Sequence, residues 1–179
     1  MRSVFLSLLG ASFLVACGTP LPEMSRDEML AKTVRVYEGK TKYEVRDAAE
    51  SVLRLALGEE GNVTVREDEV TALHSYVVFI LINAIDTRWY WQVRVQDDPR
   101  GGKAIVRLTS GGELAIGGGG GQADFTYPEP YDLFWARMDY LLGVSRHWPT
   151  CVEQKTTIGA LCFFAPDRLP STQRQVPSP

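Results

Sequence analysis

Arg88-Trp89-Tyr90-Trp91-Gln92-Val93-Arg94-Val95-Gln96 is the stretch on which the fold turns. Trp89, Trp91, Val93 and Val95 alternate with Arg88, Tyr90, Gln92, Arg94 and Gln96. Successive strand side chains point to opposite faces, so this segment builds one apolar and one polar face. Working outward, Asp97 to Gly102 reads as a turn and Lys103 to Thr109 as the returning antiparallel strand. Upstream, the continuous apolar run Tyr76 to Ile82 predicts a buried central strand. Asn62 to Arg66 and Thr33 to Tyr37 alternate as shorter strands, and Glu67-Asp68-Glu69 is an acidic turn. Two helices complete the set. In Tyr43 to Leu57, Val45, Ala48, Ala49, Val52, Leu53 and Ala56 share a stripe that Asp47, Glu50 and Arg54 avoid, with Gly58 placed to end it. Tyr131, Phe134, Trp135, Met138, Leu141 and Leu142 form a second stripe, ended by Gly143. The order predicts an α+β fold, a twisted antiparallel sheet with two helices packed on one face, over residues 32–164. A chain of that length buries a core without further help.

The 179 residues are 45% hydrophobic and 23% charged, as in ordinary globular proteins. A formal charge of −3 offers no basic surplus for a nucleic-acid partner. Groups that carry catalysis are sparse. No G-x-S-x-G is present, and no lysine follows the glycine run Gly117 to Gly121 as it would in a phosphate-binding loop. Glu67-Asp68-Glu69 lacks the D-x-D-x-D spacing of a calcium loop. His74 sits before the apolar run as a structural histidine, and His147, beside Trp148-Pro149, is expected to pack under a disulfide. The expectation is a non-enzyme without cofactor or metal. Nine of the 16 glycines lie between Gly101 and Gly121, and the consecutive run Gly117 to Gly121 predicts a flexible loop.

The N-terminus carries Arg2, then the apolar Val4 to Leu9 continuing to Leu14-Val15. This pattern is an export signal, too short for a membrane span. It ends in Leu14-Val15-Ala16-Cys17-Gly18, which resembles the lipobox of bacterial lipoproteins. The resemblance implies cleavage after residue 16, acylation of Cys17 and anchoring to a membrane through that residue. Gly18 in place of an aspartate resembles lipoproteins sorted to the outer membrane, which implies a domain facing the periplasm. The mature chain would then hold a tether over 17–31, the domain over 32–164, and a disordered tail over 165–179 with Pro166, Pro170, Pro177 and Pro179.

With Cys17 given to lipid, Cys151 and Cys162 remain as an even pair in an oxidising compartment, which predicts a disulfide. The rival reading makes His147, Cys151 and Cys162 metal ligands, but two histidines and no C-x-x-C are poor material for such a site.

The aromatic residues leave two alternatives. Trp89 and Trp91 facing Phe134 and Trp135 are core if helix and sheet close on one another. If the two are splayed, the same four rings line a cleft for an apolar or lipid-like ligand. On the opposite face Arg88, Tyr90 and Arg94 suit a protein partner. The element order is similar, over about 110 residues and without any shared motif, to the helix-grip domains of outer-membrane assembly lipoproteins. That similarity transfers no functional residue. The expectation for function is a lipid-anchored envelope protein with a structural or accessory docking role. The alternative is a periplasmic binder of a small apolar ligand.

Overall fold

A computed structural model describes residues 24–58, 61–80, 83–114, 121–124, 126–153 and 161–162. The fold is α+β, and the described residues form three helices and a six-stranded antiparallel sheet. Helix α1 (Arg26–Thr33) leads into β1 (Val34–Glu38) and α2 (Lys42–Leu57). Strands β2 (Asn62–Val65), β3 (Glu69–Ile80), β4 (Asn83–Asp98) and β5 (Gly101–Leu114) follow. After β6 (Gly121–Asp124) comes α3 (Glu129–Leu141), the last regular element among the described residues.

The sheet runs β2-β3-β4-β5-β1. Strand β6 shares the outer edge of β5 with β1: β1 pairs Gly101 to Ile105, and β6 pairs Thr109 to Gly112. The register sets Trp91 between Ala72 and Leu108, Val93 between Val70 and Val106, and Val95 beside Ala104. These residues are buried and form one cluster with Val45, Ala49, Val52 and Leu53 of α2 and Tyr131, Phe134 and Met138 of α3. Both helices therefore cover the same face of the sheet, as the alternation in β4 predicts. Close approach of α2 to β5 depends on Gly102, where a Cβ would meet the Val45 side chain at 2.7 Å and the Thr41 carbonyl at 2.8 Å.

Both leading helices begin with reciprocal caps. The Thr41 hydroxyl accepts from the Glu44 N–H at 3.2 Å while the Glu44 carboxylate accepts from the Thr41 N–H at 2.8 Å. Ser25 and Glu28 repeat the arrangement at the start of α1. At the other end of α2, Gly58 takes φ +63° and its N–H bonds the Arg54 carbonyl.

Several expectations change. Helix α1 stands where a tether over 17–31 was expected, and the Met24 N–H donates to the Thr126 carbonyl at 2.9 Å. Residues 24–31 thus belong to the folded unit, and the described residues hold a third helix. Among the described residues, the run from Tyr76 is not flanked by strands on both sides: β2 pairs β3 only through Leu73, and Val77 is 53% exposed; Leu81 and Ile82 lie outside the described residues. At Val77, apolar character marks strand propensity and not burial. His147 does not pack under the disulfide; its side chain is exposed and its Nε2 meets Glu153 at 3.0 Å. Cys17, most of the glycine run and the tail over 165–179 lie outside the described residues.

Candidate interaction face

Helix α3 organises what surrounds the sheet. Its outer stripe holds the N-terminal segment: Asp132 pairs with Lys32, the Trp135 indole N–H donates to the Lys32 carbonyl at 2.6 Å, and both Asp139 oxygens accept from Arg35 Nη1 at 2.7 Å. The Arg35 guanidinium also lies 5.4 Å from the Trp135 ring centre. Its inner stripe is core. Phe134 stacks on Trp91 at 5.5 Å and meets Trp135 edge-on at 5.1 Å. Burial pushes the Tyr131 hydroxyl up to about 12, against the opposing effect of a hydrogen bond with the Leu108 backbone.

These contacts decide between the two aromatic alternatives. Trp91, Phe134 and Trp135 are buried against one another as core, and Trp89 is half-buried with its indole N–H on the Tyr76 hydroxyl at 3.3 Å. Helix and sheet are closed, not splayed, because Phe134 fills the space above Trp91. The four rings do not form an open cleft.

Among the described residues, the opposite face of the sheet carries no helix. One row across it is Leu73, Tyr90, Thr109 and Asp124, and the next is Thr71, Gln92 and Arg107. A third row sets Glu69, Arg94, Ile105 and Val34 side by side, and Arg88 lies beside Ser75 and Gly111. Tyr90, Gln92, Arg107, Thr109 and Asp124 line a depression of about 270 Å³. Arg88, Tyr90 and Arg94, expected together from their alternation, do share this face. Arg107, Thr109 and Asp124 come to it only through strand register, which no single segment reveals.

Each arginine on this face has a carboxylate. Arg88 Nη2 meets Asp86 at 2.6 Å, Arg107 Nε meets Asp124 at 2.7 Å, and Arg94 Nε meets Glu69 at 3.5 Å. Gln92 adds a hydrogen bond to Glu69 at 2.5 Å. The face is thus locally neutral, with Leu73 exposed and Tyr90 half-buried at its middle. Rows of paired charges around an aromatic and aliphatic centre fit a protein surface better than a polyanion, which needs unpaired cations.

Beyond the end of α3, Cys151 and Cys162 form the predicted disulfide, with sulfurs 2.07 Å apart. This commits both thiols that the metal reading would need. Sequence reasoning missed Arg137, one of the largest fully buried side chains, although its position three residues after Phe134 and one before Met138 puts a charge beside the apolar stripe.

No protein-family description matches this chain, and no characterised protein is significantly similar to it.

Proposed function

We propose that this chain is a lipid-anchored protein of the cell envelope whose outer sheet face, opposite the helices, docks another envelope protein. Acylation at Cys17 would hold it to the outer membrane, with the domain on the periplasmic side. Each buried methylene of the acyl chains contributes about 0.8 kcal/mol, so several chains suffice without a basic patch. The observation that carries the docking role is the sheet face on which no helix lies among the described residues, where Arg88, Tyr90 and Arg94 stand with Leu73 and Arg107 in a neutral, partly apolar surface. The lipobox-like residues 14–17 and a disulfide suited to an oxidising compartment support the placement.

Native mass spectrometry of the full-length protein, released gently from its own envelope, tests anchor and partner together. An acyl mass on Cys17 and a co-eluting protein are expected. That companion should be lost from an Arg88→Glu, Arg94→Glu variant that still carries the acyl mass. Unchanged recovery of the companion would remove the sheet face as the docking surface, and an unmodified Cys17 would remove the anchor.

A further inference from the structure

Arg137 is 1% exposed and projects from α3 into the junction that the disulfide closes. Its Nη2 donates to Cys151 Sγ at 3.4 Å, its Nη1 to the Leu161 carbonyl at 3.2 Å, and its Nε reaches the Pro149 carbonyl at 3.5 Å. The Trp148 ring covers the guanidinium at 5.0 Å, and Tyr140 meets that ring edge-on at 5.4 Å. A guanidinium keeps its proton in proteins, so a full positive charge is fixed against one particular sulfur. The two cysteine residues also differ in exposure: Cys151 is 6% exposed, while Cys162 is half-buried.

We propose that Cys151–Cys162 is a redox-active disulfide that exchanges with a dithiol, with Arg137 stabilising Cys151 as the leaving thiolate. A thiolate of the dithiol attacks Cys162 Sγ. A bond forms between those sulfurs, the Cys151–Cys162 bond breaks, and the electron pair departs on Cys151 Sγ beside the guanidinium. The second thiol of the dithiol, deprotonated, then attacks its own sulfur of the mixed disulfide. Cys162 is released as a thiolate that takes up the proton, and the dithiol leaves as a disulfide, having given up two electrons. Burial alone would raise the Cys151 thiol, but a cation at hydrogen-bonding distance in low dielectric acts against it. The Pro149 carbonyl and the Trp148 ring hold the guanidinium independently of the S–S bond. Glu153, two residues from Cys151, is occupied by the Thr150 N–H at 2.9 Å and by His147.

The test uses the full chain with Cys17→Ser, since the pair then supplies the only thiols. The reduced protein is titrated by its ultraviolet thiolate absorbance, and the rate at which dithiothreitol opens the oxidised form is measured. One thiol should titrate well below the ordinary value of about 8.5. Arg137→Met should raise that titration and slow opening about threefold or more, because a poorer leaving thiolate departs more slowly. Both thiols titrating at or above the ordinary value, or opening of Arg137→Met at the wild-type rate, would overturn the proposal and leave Arg137 a strut for the loop. Should Arg137→Met not fold, Cys162→Ser decides the matter alone: Cys151 titrating low supports the proposal, and Cys151 titrating at or above the ordinary value ends it.

Discussion

Trp91 and Tyr90 are neighbours in β4 and live under opposite rules. Trp91 lies beneath Phe134 in a core built from α2, α3 and four strands, while Tyr90 stands on a face that no helix covers among the described residues. The inner face is specified by volume, since its side chains must interlock with two helices. The outer face is specified by charge balance: Arg88, Arg94 and Arg107 each find an acid within their own or an adjacent strand. Folding constrains the first face closely and the second hardly at all. The composition of the second is therefore where evidence of a partner is to be sought.

Substitutions that separate the two faces should differ most in stability. Trp91→Ala should cost about 3–5 kcal/mol, read by chemical denaturation, because it empties space under Phe134 that the helices cannot refill. A loss below about 1 kcal/mol would mean that helix and sheet are less tightly closed than the contacts indicate. Replacing Cys151 and Cys162 together by serine should cost about 2–4 kcal/mol in the same measurement, since the pair closes a short loop against α3. Next comes Thr41→Ala, at about 1 kcal/mol, from loss of the cap at the start of the helix that covers the inner face. Arg88→Glu with Arg94→Glu should move stability by no more than about 0.5 kcal/mol while partner recovery falls. A large loss of stability there would erase the distinction between the faces.

The smallest effect is expected in acid. Backbone hydrogen bonds from Thr41 and Ser25, and then their hydroxyls, hold the Glu44 and Glu28 carboxyls below the usual carboxylate range. A depressed folded value means that the stabilisation is complete above the unfolded value of about 4.3 and is lost as pH falls through the folded one. Glu44→Gln should therefore flatten the acid side of a stability-against-pH curve and leave its neutral plateau nearly unchanged. An acid limb of wild-type steepness would show that the cap at Glu44 plays no part.

What the sequence disclosed follows the same division. The strand alternation of β4, the α2 stripe and the α3 stripe were legible because burial on one face imposes a period. Helix α1 was not. Thr33 is its one buried residue, so Arg26 to Thr33 shows no apolar stripe, and its signal is the spacing of Ser25 and Glu28 alone. The apolar run from Tyr76 misled for a related reason, since β-branched residues favour a strand whether or not both faces are covered. On the candidate face, Arg88, Tyr90 and Arg94 were legible from alternation along one strand. Arg107 and Asp124, seventeen residues apart, meet only because β6 returns along the edge of β5.

The hydrogen bond from Met24 to Thr126 works as the collar on a leash. On the lipid-anchored reading, the chain leaves the bilayer at Cys17 and is gripped by the domain seven residues later. Seven extended residues span about 25 Å at most, less than the width of a small domain. The domain would then roll against the membrane and not range through the space beyond it. On that reading, a partner of the outer sheet face would have to come within about a domain's width of the bilayer surface.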